Sequence, residues 1–311
     1  MENQTTFHTP VLADVVLSYL VTDLKGVYVD ATVGGGGHAE RILEKLEREG
    51  RVVALDRDGN AVTFAQERLS KYGDRVRIVR ANFAEVGTIV ERLGIDKTFG
   101  ILLDLGVSSY QVDEEGRGFS FQRNEGIDMR MDQRQELSGW TVVNRYSQDL
   151  LADLLRQYGE EKHARRIAKS IVQRREERPL NSTRDLVDIV RSVVGGKHVQ
   201  KSLARVFQAI RIEVNQELEN LHKALHDMVD VLRVGGRIVV ISYHSLEDRI
   251  VKEFFRAEAA ASIPSGTKLI PDRPRQQLLR ILTKRPIVPG RAEVMVNSRA
   301  RSAKLRAAER I

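Results

Sequence analysis

The stretch Asp30–Leu43, "DATVGGGGHAERIL", decides how the rest of the chain is read. Overlapping its start, Val27–Thr32, "VYVDAT", is a short, β-rich apolar run carrying an acid. After it, Ala39, Ile42, Leu43 and Leu46 recur at helical spacing. Four glycines therefore stand at a strand-to-helix turn, where bare backbone tolerates positive φ and lets a ligand approach closely. The same unit repeats downstream. "GRVVALDRD" reads as a second strand ending in Asp56, "RVRIVRANFAEV" as a third with Phe83 at its tip, and "FGILLDLGVSS" as a fourth ending in Asp104. The fourth is continuously apolar, which predicts burial on both faces. Strands alternating with helices predict an α/β, parallel, doubly wound sheet.

From about Gln111 to Arg211 the alternation stops and helical patterns take over, among them "GWTVVNRYSQDLLADLLRQYG" and "EEKHARRIAKSIVQRREE". Breaks at Gly159, Pro179 and Gly195–Gly196 predict several short helices. The strand pattern returns at "VGGRIVVISYHS", so the helical block reads as an insertion between the fourth and fifth strands. Near the end, "LLRILTK" and "AEVMVNS" read as an antiparallel pair closing the sheet edge.

The chain has 311 residues, 41% of them hydrophobic, and no cysteine. That excludes disulfides, thiolate metal sites and cysteine nucleophiles. The opening residues show no charged segment followed by an apolar one, and no apolar run approaches the ~20 residues that span a bilayer. A cytoplasmic protein without a membrane partner is expected. No heptads are present, and the sequence sets no oligomeric state. The net charge is +7, and it is unevenly spread. Between Arg273 and Ile311, eleven basic residues face only Glu293 and Glu309. Such an excess is an electrostatic footprint for a polyanion, with a solubilising tail as the plainer reading.

The glycine spacing discriminates among ligands. A pyrophosphate site wants Gly-x-Gly-x-x-Gly, and a P-loop wants Gly-Lys-Ser/Thr; neither is present. A nucleoside ligand without pyrophosphate, such as S-adenosylmethionine, remains. Asp56 at the second strand tip can accept ribose hydroxyls. Phe83 can pack on an adenine face, and Asp104 lies beside both. Taken singly, Asp56 reads equally as a loop cap, Phe83 as core and the glycines as a tight turn.

"HTPVLADVV", "DATVGGGGHAERIL", "ALDRD", "ILLDLGVSSYQVDEEGRGFSFQRNEGIDMRMD", "GEEKHARRIA", "VFQAIRIEVNQEL", "GGRIVVISYHSLEDRIVK" and "NSRARSAKLRAAER" together resemble the bacterial 16S ribosomal RNA (cytosine-N4)-methyltransferases over nearly the whole chain. The resemblance implies a Rossmann-like class I methyltransferase sheet with an inserted all-helical domain. It implies a methyltransferase domain over residues 1–112 and 212–311, and a helical substrate-recognition domain over 113–211. S-adenosylmethionine would be the methyl donor. The acceptor would be a cytidine of 16S ribosomal RNA in the P-site region of the decoding centre, within the small subunit. Carried over by position, the cofactor residues are Gly36, Gly37, His38, Asp56, Phe83, Asp104 and Gln111, with Gly34 and Gly35 shaping the turn. His38 and Gln111 come from the resemblance alone.

The weak nucleophile N4 of cytosine needs in-line alignment and acceptors for its protons. DNA amino-methyltransferases usually carry Asp/Asn-Pro-Pro-Tyr/Phe after the fourth strand, and "DLGVSS" lacks those prolines and the aromatic residue. A stacking aromatic must then come from elsewhere, with Tyr110 and Tyr243 as candidates. Asp104 can serve as cofactor ligand or proton acceptor. Tyr243 is expected to stack on the base, and His244 or Ser245 to contact base or phosphate. A competing reading packs Tyr243 in the fold and makes Ser245 a helix cap with Asp248. "DEEGRGFSFQRNEGIDMRMD" reads as a lid or as a linker. Arg165, Arg166, Lys169, Arg174 and Arg175 line one helix, either solvated or facing phosphate. No side-chain set has convincing metal spacing; His222 and His226 read as structural or solvent-facing. A non-catalytic nucleotide- or RNA-binding ribosome assembly factor is the alternative to the enzyme, and the glycine spacing disfavours a dehydrogenase.

Overall fold

A computed structural model describes residues 10–107, 114, 116–263 and 272–311. Five strands run parallel: β1 (Val27–Asp30), β2 (Arg51–Asp56), β3 (Val76–Arg80), β4 (Thr98–Asp104) and β5 (Leu232–Ser242). A separate antiparallel pair follows, β6 (Ser262–Ile263) and β7 (Arg273–Pro274). Then β8 (Leu279–Ile281) and β9 (Lys304–Arg310) join the main sheet, β9 antiparallel to both β5 and β8. The strand order is β3-β2-β1-β4-β5-β9-β8. It reverses between β1 and β4, so a crevice opens at their carboxyl ends, where ligands of such sheets bind.

Alternation along the strands fills two apolar layers. Val29, Ile101, Leu103, Ile238 and Val240 enter one, with Val86 and Ile89 of α4 (Val86–Arg92) and with Leu225, Met228 and Phe255 from later helices. Tyr28, Leu102, Val239 and Ile241 enter the other. There they meet α1 (Ala13–Leu20), α2 (Gly37–Lys45) and α3 (Gly59–Leu69) through Leu20, Ile42 and Leu69. Every central residue of β4 from Gly100 to Leu103 is buried, as its unbroken apolar run requires.

The described residues form two compact units, one of residues 1–106 and 218–311 carrying the sheet, the other of 107–217. The second is helical, with helices at Gly139–Arg145, Gln148–Gln157, Ala164–Glu177, Thr183–Val194 and Val199–Asn215. Ser138, Ser147 and Ser182 cap three of them through side-chain bonds to backbone N–H groups, the arrangement worth about 1 kcal/mol per cap. Ala164, Ile167, Ala168 and Ile171 form a buried stripe on their helix, and Arg165, Arg166, Lys169 and Arg174 stay exposed.

Three sequence expectations change. The Gly- and charge-rich segment expected as a lid or linker is a wall of the helical unit. Ile127 and Met129 are buried in its core, Phe119 and Phe121 pack against it, and buried Arg117 donates to the carbonyls of Arg130 and Met131. The stretch His198–Leu232, "HVQKSLARVFQAIRIEVNQELENLHKALHDMVDVL", reads in sequence as one helical pattern, but it breaks at Gln216, which takes a left-handed conformation (φ 49°) before a new helix, Glu217–Val231. "AEVMVNS" is not a strand: Arg291–Val296 is a short helix, and "KLRAAER" enters the sheet instead. The slot beside β5 is buried on both faces, and the small Ala307 and Ala308 fit it, so packing overrides intrinsic propensity. Among the described residues no helix is long and apolar enough to cross a membrane.

Candidate active site

Four carboxyl-end features of the sheet unit converge at the β1/β4 crevice. The glycine turn comes first. Gly34 (φ 48°) and Gly36 (φ 81°) take the left-handed conformations, so the bend falls on these two and not on Gly34 and Gly35. Gly36 precedes the first residue of α2 and is buried against α3, where a Cβ would come 3.3 Å from Arg68 Cδ. Gly34, Gly35 and Gly37 are only half-buried. The turn is tied to the next strand tip: Asp56 Oδ2 accepts the Gly34 N–H at 2.9 Å, and Oδ1 accepts the Asp58 N–H at 2.9 Å. Burial raises the Asp56 carboxyl above its ordinary range, and those two bonds oppose the shift.

Asp104, at the tip of β4, is the second feature. Its N–H donates to Thr32 Oγ1 at 2.7 Å, which locks the end of β4 to the turn after β1. Oδ1 accepts the Tyr243 O–H at 2.8 Å, and Oδ2 lies 3.5 Å from His38 Nε2. The Asp104 side chain keeps 23% of its surface exposed, so its carboxylate remains open to a ligand.

Tyr243, just past β5, is the third. Its phenol is held well above the ordinary range, by burial first and by the Asp104 charge second. Its ring lies against Gly106, whose φ of 101° and whose missing Cβ leave the space: a Cβ there would come 3.2 Å from ring Cδ2. Its N–H donates to Glu247 Oε2 at 2.8 Å.

The fourth feature is Asp30, fully buried at the tip of β1. Oδ1 accepts the Thr32 N–H at 3.3 Å, and Oδ2 has no hydrogen-bond partner among the described residues. Burial pushes its carboxyl up to about 7; His38 opposes this, and Asp104 and Asp56 add to it. His38 Nε2 is also buried without a hydrogen bond among the described residues. Two unsatisfied polar atoms beside a glycine turn are costly unless a ligand completes them. With Asp56 at the neighbouring tip, this donor and acceptor set fits a nucleoside ligand carrying a polar, charged arm.

The structure thus brings Asp56 to the glycine turn, and His38 and Tyr243 to Asp104. Asp30 was missed as a site residue; its only sequence signal is an acid at the end of the first strand. Phe83 sits on a single 3-10 turn after β3, set by a capping box between Asn82 and Glu85, and the residue is buried within the apolar layer. His244 holds a structural position at the start of a helix. It is the N-cap of helix Ser245–Glu258: its Nδ1 accepts the Glu247 N–H at 3.4 Å, and Glu247 accepts the His244 N–H at 3.2 Å. The cap expected at Ser245 with Asp248 is therefore shifted by one residue, and Asp248 pairs with Arg306 instead. Gln111 and Tyr110 lie outside the described residues. His222 and His226 are exposed, the latter edge-on to Phe254.

The chain is 47% identical over 305 residues to the ribosomal RNA small subunit methyltransferase H of Caldicellulosiruptor saccharolyticus, covering 98% of this chain and 99% of that one. It is 47% identical over 306 residues to the protein of the same name from Carboxydothermus hydrogenoformans, covering 98% of each. An rRNA methylase structure from Streptococcus thermophilus aligns over 96% of this chain and 93% of that chain, with a TM-score of 0.43 and 12% identity. Residues 5–311 match the MraW methylase family, and the chain is a member of that family.

Proposed function

We propose that this S-adenosylmethionine-dependent rRNA methyltransferase places a methyl group on N4 of a specific cytidine of 16S ribosomal RNA, in the P-site region of the small subunit's decoding centre. The reading implies a cytoplasmic enzyme, since its substrate is there. The observation that carries it is the Asp104 carboxylate, open at the crevice and gripped by the Tyr243 hydroxyl at 2.8 Å with His38 Nε2 at 3.5 Å.

S-adenosylmethionine supplies, when bound, an electrophilic sulfonium methyl. The protein's part is to hold and to accept. The Gly34–Gly37 turn, His38 and Asp56 form the cofactor wall, and Asp30 Oδ2 offers it a buried acceptor. Phe83 lies beneath that wall as packing, and Gln111 belongs to it by resemblance. Asp104 accepts an N–H of the cytosine amino group, stabilising the positive charge that develops on N4 as it is alkylated. Tyr243 fixes the rotamer of that carboxylate and is a positioning residue, and His244 acts one step back by setting the helix that begins there. The helical unit, residues 107–217, serves substrate recognition through its exposed basic helix face.

The test is methylation with labelled cofactor on naked 16S RNA and on assembled small subunits, followed by mapping of the modified base. Label at N4 of a P-site cytidine is expected. Label on a ring carbon, on a protein or on a small molecule would overturn the reading.

A further inference from the structure

Nine of the eleven basic residues of the C-terminal region fall into two groups. One is spent inside the fold: Arg275 pairs with Glu258, Arg280 with Glu309 at 2.5 Å, Lys304 and Arg306 with Asp248, and Arg310 donates to the carbonyls of Val229, Asp230 and Leu232. The other is Lys284, Arg285, Arg291 and Arg301, all exposed, with no side-chain hydrogen bond or ion pair among the described residues. These four lie on the connection between β8 and β9.

That connection also carries exposed apolar surface. Val288 is 58% exposed, Met295 86% and Val296 85%, the last two being the most exposed large apolar side chains among the described residues. Large apolar groups held this far into water mark an interaction site. Topology fixes where. β8 runs the same way as β5, and β9 returns antiparallel with Lys304 opposite Ser242. Residues 282–303 therefore cross the carboxyl edge of the sheet, the edge of Asp104 and Tyr243. The segment is anchored there, because Glu293 Oε1 accepts the Leu12 N–H at 2.7 Å and Ile287 bridges to Leu305. The Glu293 charge is felt by the Tyr243 phenol.

We propose that residues 282–303 form an RNA-docking arm that seats the strand flanking the target nucleotide, with Lys284, Arg285, Arg291 and Arg301 on phosphates and Met295 and Val296 against bases or riboses. The proposal rests on the rRNA methyltransferase reading above. Charge complementarity selects the occupant. The one acid on the arm, Glu293, is turned to a backbone N–H, so the charged groups the arm exposes are all cationic, and they lie beside exposed Val288, Met295 and Val296. Unstacked RNA offers both complements at once, phosphates and open base faces. A second copy of this chain would bring like charges together.

Two variants of the full chain test it: Lys284→Ala/Arg285→Ala/Arg291→Ala/Arg301→Ala, and Met295→Ser/Val296→Ser. Unchanged cofactor affinity and melting temperature show that each is folded. For the first, the slope of log affinity against log salt on unmethylated small subunits should become shallower by about 3, at about 0.7 per single-strand phosphate contact. From 50 to 200 mM salt the wild type would then lose about 50-fold more affinity than the variant. For the second, KM for the RNA substrate should rise several-fold with kcat unchanged. An unaltered slope and an unaltered KM in the folded variants overturn the proposal. So does a change of sedimentation in the Met295/Val296 variant with RNA affinity intact, which would assign the patch to contact between copies. If the wild type itself neither binds nor methylates rRNA, the functional reading fails, and that shows in the wild-type arm alone.

Discussion

Asp104 is held from two directions, by Thr32 on its backbone N–H and by the Tyr243 O–H on Oδ1, with His38 Nε2 3.5 Å from Oδ2. A carboxylate fixed in this way meets an amino proton without first reorganising, which is where electrostatic catalysis gains most. Tyr243→Phe separates hydroxyl from ring. The ring still fills the space beside Gly106, so cofactor affinity should be retained. Without the O–H, Asp104 loses its fixed rotamer, and kcat should fall about 10- to 100-fold, the order expected for a positioning hydrogen bond. Single-turnover methylation alongside cofactor-binding titration checks this, and full activity of the Phe variant would return Tyr243 to a stacking role. Asp30 supports a second prediction. Its carboxyl titrates near 3.8 unfolded and about 7 folded. Below both values it is protonated in either state and costs nothing. Between them the unfolded chain has released a proton that the folded chain keeps, so stability falls as pH rises, by a few kcal/mol on the order-of-magnitude scale of such shifts. Asp30→Asn should therefore melt progressively higher than wild type as pH is raised from about 4 to 7, with a constant gap above that. Thermal melts across that range decide it, and a gap independent of pH would remove Asp30 from this role.

The informative element is β9. It lies between β5 and β8 although it is last in the chain, and six of its residues pair with β5. Arg306, 8% exposed, donates from Nε to Asp248 Oδ1 at 2.7 Å and holds that carboxyl below the usual range, joining the strand to helix Ser245–Glu258. Arg306→Ala leaves Asp248 with only Lys304 at 3.5 Å. Breaking a largely buried pair from one side costs about 3 kcal/mol, so the denaturant midpoint should drop while the slope of unfolding stays constant; a midpoint within error of wild type would show the pair to be idle. Sequence reading chose the wrong segment for this strand. "AEVMVNS" carries the stronger β-type apolar pattern, and local pattern cannot see that its Met295 and Val296 find no cover. The helices, by contrast, were legible wherever an apolar stripe was continuous, as at Ile167, Ala168 and Ile171.

Over the whole molecule, the sheet unit is assembled from the two ends of the chain and the helical unit from its middle. The candidate site lies where β1 and β4 diverge, so residues far apart in sequence reach one crevice. The strand-tip acids Asp56 and Asp104 could be anticipated because each strand announces its own end. The sharing of Asp104 between Tyr243 and His38 could not, since those contacts join positions 139 apart in one case. The C-terminal charge is a similar case: composition showed an excess, and only the fold separated cations tied to Asp248, Glu258 and Glu309 from those left facing solvent.

The sequence by itself determined the alternating parallel architecture, the glycine turn between β1 and α2, the acids at the strand tips and the helical insertion. All of these follow from periodicity and from turn-forming residues within one short window of chain. Tertiary structure decided which segment completes the sheet, that Gly34 and Gly36 form the bend, that His244 is a helix cap, and that Asp30 is buried with its carboxyl pushed up to about 7. Those outcomes depend on what packs against each residue from distant strands, and burial, strand pairing and desolvation are set by partners that no local window contains.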